Sequence, residues 1–573
     1  MISKRKPKPV VRESYEYIYL SQRFGELGGN DDQVDAFCEW YGTKSGYKEY
    51  QKSKYILALF GIPFEAVERV AGGHQYEPMR IEALCSAAYL SIQSSGSTYA
   101  TLSQLIHRCW AIERRAGVYE HTSALLLGAS IQKQFKIDGV KIYSPYMWKL
   151  EKSIAKSIKK ICRTAPTTTI SAEQISSIER ELQIEYDDTQ RDAFGILSHP
   201  IGVLTGGPGT GKTTLIRGLI LAHEQTGRPL VLCAPTGKAA QQIRLATGRR
   251  AETIHKTLGI RPYMLGGYTA EEGSIPANAL VIVDEASMLD TEIAECLVRA
   301  AADAQAQILF VGDADQLESV GAGSVFRDLV LYFPVVRLDT IHRNAGTIAK
   351  NAYYIKTGDW DKLIRDKSFI TANLPSSDEI VKNAKIIHQA KFRADAPHDV
   401  KIFTPVKSPQ YITSTAKINA ALHTLYHSQD KALKVGDKLF SVGEPVIITR
   451  NDYDLGLLNG DEGVVVGISE NLLRVRVGDE TVDISDEALQ YVELGYAVTV
   501  HKAQGSSCKM AIILLPSEPV CMVTRRLAYV AVTRAEKRVV VLHECYSLEM
   551  AIMDENTRPR QTGLIERLGD EHV

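Results

Sequence analysis

The sequence predicts an α/β protein built on a buried parallel sheet, with a small β-rich segment and a mainly helical N-terminal portion. Three observations carry this. Short apolar runs at residues 201–204, 229–234, 279–283 and 307–311 each end in glycine or polar residues, as strands buried on both faces of a parallel sheet do. Helical periodicity follows the first of them, at 215–222, so strand and helix alternate along the chain. Between about 436 and 490, short strands recur at close spacing with Asn459-Gly460 and Gly478-Asp479 turns, the pattern of a small barrel.

Composition sets the outer limits. A chain of 573 residues has room for roughly three to five domains. With 67 Lys and Arg against 68 Asp and Glu, the net charge of −1 gives no global attraction to a polyanion, so nucleic-acid binding would need a local patch. Two basic stretches stand out. Lys4-Arg5-Lys6, with Lys8 and Arg12, reads as a frayed tail or an arm on phosphates. Lys149, Lys152, Lys156, Lys159, Lys160 and Arg163 decorate one helix, as a solvated face or a nucleic-acid track. Nine cysteines without a C-x-x-C pair argue against a zinc ribbon, an iron–sulfur cluster and a disulfide framework. No apolar run approaches the ~18 residues of a membrane span, and the first thirty residues lack a signal-peptide core. A soluble, intracellular (cytoplasmic) protein is expected.

Taken in order, residues 55–71 read as helix, glycine turn, helix, and 79–94 and 99–112 continue with helical spacing. Residues 165–169 read as a linker, and Ser171-Ala172-Glu173-Gln174 fits a capping box. Gln190 follows, about fifteen residues before a glycine loop; its amide offers the donor–acceptor pair that suits an adenine edge. The loop itself, Gly206-Gly207-Pro208-Gly209-Thr210-Gly211-Lys212-Thr213-Thr214, fits G-x-x-x-x-G-K-[ST]. Between a buried strand and a helix, its N–H groups would converge on phosphates while the helix N-terminus adds partial positive charge. Lys212 would reach the β- and γ-phosphates of a nucleotide, and Thr213 would ligate Mg²⁺.

The next strand ends in Pro235-Thr236-Gly237-Lys238, with Thr253-Ile254-His255 beyond it. Small polar residues and a lysine at strand ends can hold a phosphodiester backbone without reading bases. Paired glycines between tyrosines at 259–276 suggest a short exposed hairpin. The strand at 279–283 delivers Asp284 and Glu285 to its C-terminal end, where sites of open α/β sheets lie. Asp284 would hold Mg²⁺ and Glu285 would orient and deprotonate the attacking water. Gln316, after the strand at 307–311, is placed to sense the γ-phosphate, and Arg343 closes this half. The stretch past Leu548 is polar and carries no readable signal.

In order, Gln190, GGPGTGKTT, APTGKAA, TIHKTLG, VIVDEAS, GDADQL, HR at 342–343, NDYDLGLLNGDEG, VTVHKAQGSS and YVAVTRAEK resemble the motif series of superfamily 1 helicases, specifically the RecD-type (superfamily 1B) enzymes. The resemblance covers about 185–540, with a fainter likeness at 55–160 to the N-terminal region of the longer stand-alone members. It implies two RecA-like P-loop NTPase domains with ATP and Mg²⁺ between them, an SH3-like β-barrel insert, and single-stranded DNA across both. The implied division is a helical domain at 1–170, the first motor domain at 171–345 with its hairpin at about 259–276, the second at 346–435 and 491–573, and the insert at 436–490. Gln190, Gly207 to Thr214 and Gly505 are the implied nucleotide contacts. Pro235, Thr236, Lys238, Thr253, His255, Thr499 and His501 are the implied strand contacts. Arg343 and Arg534 are the implied arginines on the transferring phosphoryl group. The function so expected is an ATP-dependent 5′→3′ DNA helicase or translocase, working as a monomer at single-strand/duplex junctions with replication or repair partners. An RNA-directed motor of the same superfamily and a structural ATP-binding subunit of a nuclease or repair complex remain the alternatives; intact Lys212, Glu285 and Arg534 argue against the second.

Overall fold

A computed structural model describes residues 8–570 apart from 9, 61, 72–76, 119–120, 263–267, 272, 340–345, 451, 453–454, 458, 479, 520–522 and 555–558. Arg343, Lys4-Arg5-Lys6 and the hairpin tip therefore lie outside the described residues.

The first lobe is a six-stranded, wholly parallel sheet. Its strands are β1 (Ile201–Gly206), β2 (Leu230–Ala234), β3 (Ala251–Thr253), β4 (Leu280–Val283), β5 (Gln307–Gly312) and β6 (Val335–Leu338), in the order β6-β1-β5-β4-β2-β3. Leu309 sits opposite Gly202 on one side and Ile282 on the other. Alternation along the strands divides the core in two. Leu280, Ile282, Leu309 and Val311 pack on the helix α2 (Lys212–Glu224). Val281, Val283, Ile308 and Phe310 pack on the opposite layer, which contains Leu297 and Val298.

That opposite layer also holds an earlier helix, α1 (Pro145–Thr164), through Ile154, Ala155, Ile158 and Ile161. The helix expected inside a separate N-terminal domain thus shares the first lobe's core. Lys149, Lys152, Lys156, Lys160 and Arg163 stay exposed on its outer side. Upstream, short helices enclose their own core around Phe24, Phe37, Phe64 and Leu84. A small antiparallel sheet of Tyr99–Ala100, Lys136–Asp138 and Lys141–Tyr143 joins this helical region to α1.

The second lobe is a five-stranded sheet of β7 (Phe369–Leu374), β8 (Val400–Thr404), β14 (Ala497–Thr499), β15 (Cys508–Leu515) and β16 (Ala535–Glu544), parallel throughout and ordered β7-β16-β15-β8-β14. Between β8 and β14 lies a five-stranded antiparallel sheet of β9 (Pro445–Ile448), β10 (Glu462–Ser469), β11 (Leu472–Val477), β12 (Glu480–Ser485) and β13 (Val492–Leu494), ordered β12-β11-β10-β9-β13. It runs a few residues past the predicted limit of 490, because β13 pairs with β9. Its inner residues, among them Val446, Val465 and Val475, share one core with Ile402, Ile512 and Val540 of the second lobe.

The chain then recrosses. A last helix, α3 (Leu564–Gly569), buries Leu564 and Leu568 in the first lobe's core beside α1. This corrects the assignment of the whole stretch past 491 to the second lobe: two leucines at helical spacing find their apolar partner on the other side of the molecule.

Candidate active site

The glycine loop follows β1 and opens α2. Gly209 and Gly211 have φ of 76° and 85°, a region that other residues enter only at a cost. At Gly206 a Cβ would sit 2.7 Å from Thr210 Oγ1 and 2.9 Å from the Leu338 carbonyl, so the loop closes tightly only without a side chain. Thr210 Oγ1 donates to the Gly207 carbonyl at 2.8 Å. Lys212 Nζ donates to the carbonyls of Gly206 at 2.5 Å and Gly207 at 3.0 Å. Thr213 and Pro208 lie at the loop's mouth, Thr213 exposed, and Thr214 lends its carbonyl to Tyr186 Oη at 3.1 Å.

At the end of β4, Asp284 Oδ1 accepts the Glu285 N–H at 2.9 Å, and Glu285 has a φ of 51°. A left-handed non-glycine residue is uncommon and fixes the direction of both carboxylates. Burial, and then the charge of Glu285, hold the Asp284 carboxyl above the usual carboxylate range, with the Lys212 charge opposing. Next door, Asp313 is buried, and burial pushes its carboxyl up as well. Its Oδ2 accepts the Tyr529 hydroxyl of the second lobe at 2.5 Å. Gln316 is buried three residues on, its Oε1 without a hydrogen-bond partner among the described residues.

The second lobe faces this loop across a cleft of ≈ 210 Å³ lined by Pro208 and Gly209 on one side and by Thr347, Ala349, Thr533 and Lys537 on the other. Arg534 stands at its edge, but its guanidinium is buried and turned into its own lobe. Nε donates to Val530 O at 3.2 Å, Nη1 to Ser506 O at 3.2 Å and Nη2 to Thr533 Oγ1 at 3.0 Å. Gly505, at φ 70°, lies where a Cβ would be 3.3 Å from Thr236 Oγ1, so it adjoins the strand-contact residues rather than the loop. Gln190 is the third residue of a capping box: its Oε1 accepts the Asp187 N–H at 3.2 Å and its own N–H reaches Asp187 Oδ1 at 2.8 Å. The structure thus uses its amide oxygen locally.

The expected strand contacts fall at the C-terminal ends of strands in both lobes. Thr236, Thr253 and Thr499 share one device: each hydroxyl oxygen accepts an N–H three residues on, from Ala239, Lys256 and Lys502, at 3.2, 3.2 and 3.3 Å. The oxygen is occupied by capping, which leaves the hydroxyl proton to donate outward. Pro235 and His255 are half-buried beside them, and burial holds the His255 imidazole below the ordinary histidine range. His501 is exposed. Lys238 pairs with Glu462 of the inserted sheet at 3.1 Å, 224 positions away, and Lys401 Nζ reaches the other carboxylate oxygen at 2.5 Å. Burial alone would raise the Glu462 carboxyl, but Lys401, Lys238 and His398 outweigh it and hold it at about 2.

Asp313, Tyr529 and Glu462 were not singled out from sequence. All three lie inside motifs of the series, GDADQL, YVAVTRAEK and NDYDLGLLNGDEG, and a tyrosine five residues before Arg534 was the available signal.

Two parallel-sheet lobes meeting over a glycine phosphate loop, with an acidic pair on one and an arginine on the other, define a two-lobed P-loop ATPase of the helicase class. Residues 185–373 match the AAA domain and 494–542 the UvrD-like helicase C-terminal domain. RecBCD enzyme subunit RecD of Mycolicibacterium smegmatis is 31% identical over 473 residues, 76% of this chain and 83% of that protein. ATP-dependent RecD2 DNA helicase of Deinococcus radiodurans is 29% identical over 75% of this chain, which spans 58% of that longer protein. Among solved structures, Bacteroides Pif1 bound to ssDNA is 20% identical, covering 62% of this chain and 92% of that one at a TM-score of 0.41. The chain belongs to the RecD family of ATP-hydrolysing DNA helicases.

Proposed function

We propose that this chain moves 5′→3′ along single-stranded DNA, with ATP hydrolysis coupled to closure of the cleft between its lobes. The observation that carries the reading is the cleft itself, walled by the phosphate loop on one side and by residues flanking Arg534 on the other. A triphosphate on the loop would lie where the second lobe can reach it only by closing, which ties chemistry to movement.

In this reading Lys212 gives up the carbonyls of Gly206 and Gly207 for phosphate oxygens. Glu285 takes the proton of the attacking water. Gln316, whose buried oxygen has no hydrogen-bond partner among the described residues, orients that water or senses the γ-phosphate. Arg534 exchanges its carbonyl partners for the transferring phosphoryl group, with Arg343 as a second cation. Thr213 and Asp284 would hold Mg²⁺, which neutralises charge on the β- and γ-phosphates when bound. A hydroxyl at the loop's mouth and an adjacent carboxylate pair are a donor set that fits it. Gln190 would read the adenine only by releasing its capping role.

Across the strand ends, Pro235, Thr236, Lys238, Thr253, His255, Thr499 and His501 grip the DNA backbone, and the hairpin at 259–276 splits the duplex. The inserted antiparallel sheet closes into an SH3-like barrel. The limits 1–170, 171–345, 346–435 with 491–573, and 436–490 complete the reading, amended so that 145–164 and 564–569 go with the first lobe. Action as a monomer at single-strand/duplex junctions, in the cytoplasm and with replication or repair partners, belongs to the same proposal.

The test measures ATP turnover with and without single-stranded DNA or RNA, alongside displacement of strands from 5′- and 3′-tailed duplexes. DNA-stimulated turnover with unwinding of the 5′-tailed DNA duplex is expected. Turnover indifferent to any polymer would end the proposal, and a preference for RNA would replace DNA as the track.

A further inference from the structure

The loop between β5 and the helix Val325–Tyr332 carries Gln316, the proposed γ-phosphate sensor, and then meets both the second lobe and the N-terminal region. Leu317 inserts its side chain into the second lobe's core beside Val498 and Leu527. Its carbonyl accepts from Gln504 Nε2 of the second lobe at 2.9 Å. Gly323 N–H donates to the Gly96 carbonyl of the N-terminal region at 2.8 Å.

One side chain gathers the rest of that loop. Arg560 Nε pairs with Glu318 Oε2 at 2.9 Å. Its Nη1 donates to Ser319 Oγ at 3.0 Å and to the carbonyls of Gly321 and Gly323, both at 2.8 Å, and its Nη2 to Ser319 O at 2.5 Å. The same Glu318 carboxylate faces Arg526 of the second lobe at 3.4 Å and Arg327 of the first at 3.8 Å. Arg560 is 14% exposed. Around it, Thr98 N–H donates to Gln561 O at 2.8 Å and Gly563 N–H to Glu151 Oε1 at 3.0 Å. Gly96, at φ 95°, makes room for the guanidinium: a Cβ there would lie 2.0 Å from Arg560 Nε.

We propose that Arg560 is a positioning residue for the motor reaction: by tying residues 318–323 to the second lobe's Arg526 through Glu318, it makes the setting of Gln316 follow the lobe that grips the strand. The inference rests on the DNA-motor reading above. Gln316 lies two residues from Glu318, and the peptide between them is pinned at Leu317, so movement of the second lobe is passed to the sensor rather than absorbed in the loop. A planar fork with five donors meets acceptors spread over four residues; an ammonium, with three donors at one point, cannot. Coupling of this kind is carried by a contiguous network with two arrangements, and it is measured as a change in one site's response to the other's ligand.

The experiment compares wild type with Arg560→Lys and Glu318→Gln, reading kcat and KM for ATP without DNA and at saturating oligo-dT, with thermal melting as a check on folding. For Arg560→Lys, stimulation by DNA is expected to fall about tenfold, while DNA-free kcat and KM stay within about twofold. Glu318→Gln should act in the same direction and more weakly, and it carries the test if the lysine variant does not fold. A ratio of stimulated to DNA-free kcat equal to that of wild type, or a proportional fall in both rates, would overturn the role of Arg560. If wild type itself is not stimulated, it is the motor reading that fails instead.

Discussion

The phosphate loop and the second lobe border one cleft, but they hold their charged groups by different means. The loop is shaped by backbone: left-handed glycines at 209 and 211, a Gly206 too close to Leu338 for any side chain, and a helix N-terminus behind them. Arg534 across the cleft is held by hydrogen bonds to the carbonyls of Val530 and Ser506, which a phosphate could replace. Lys238 of the first lobe, outside this cleft, is likewise held by a partner, Glu462 of the inserted sheet, that a phosphate could replace. The backbone of one wall is therefore built in advance, with only Lys212 to be released from the carbonyls of Gly206 and Gly207, whereas the guanidinium on the other has to leave the core of its own lobe before it acts. Damage to the first should show as lost binding or lost chemistry outright. Damage to the second should show as chemistry that no longer answers to closure.

Lys212→Ala removes the loop's only ammonium, and turnover should drop by at least about 10³-fold; a variant that kept a tenth of wild-type kcat would show the loop is not the phosphate site. Glu285→Gln should bind ATP within a few-fold of wild type yet hydrolyse it about 10²-fold or more slowly, read by nucleotide binding alongside single-turnover hydrolysis. Tyr529→Phe cuts the hydroxyl bridge from the second lobe to buried Asp313 and leaves that carboxyl short of a donor. About tenfold off the DNA-stimulated kcat is expected, and an unchanged rate would mean the bridge plays no part in closure.

The smallest effect concerns stability. His388 is fully buried in the second lobe, and burial holds its imidazole down at about 4. Folded, it stays neutral, whereas the unfolded chain takes up a proton below about 6.5, so stability is lost as pH falls from about 6.5 toward 4. At pH 5 this one group should cost about 2 kcal/mol. Melting temperatures at pH 7 and 5 should therefore drop further for wild type than for His388→Gln; equal drops would exclude the buried imidazole as the cause.

Most of the first lobe's share of the candidate site was legible because it is written locally. An apolar run ending in Asp284-Glu285, or a G-x-x-x-x-G-K-T loop between strand and helix, holds its meaning within a dozen residues. Gln190 shows the limit of local reading: the spacing from Asp187 is also that of a capping box, and the structure uses it that way. Pairings across the chain were not legible. Lys238 reads as a strand contact and Glu462 as one residue of a distant motif, and only the fold brings them to 3.1 Å. The strand Val492–Leu494 was missed because it is three residues long and stands just before the strand at 497–499. Arg560 sits in a polar stretch without periodicity; its partners are a carboxylate more than two hundred residues away and backbone carbonyls, which leave no trace in a sequence.

In the proposed mechanism groups from both lobes act on one triphosphate, and single-turnover hydrolysis by Arg534→Ala at saturating single-stranded DNA measures whether they do. ATP affinity within a few-fold of wild type and a hydrolysis step slowed by about 10³-fold are predicted. Hydrolysis at the wild-type rate would contradict this mechanism, because the loop and its acidic pair would then be doing the chemistry alone.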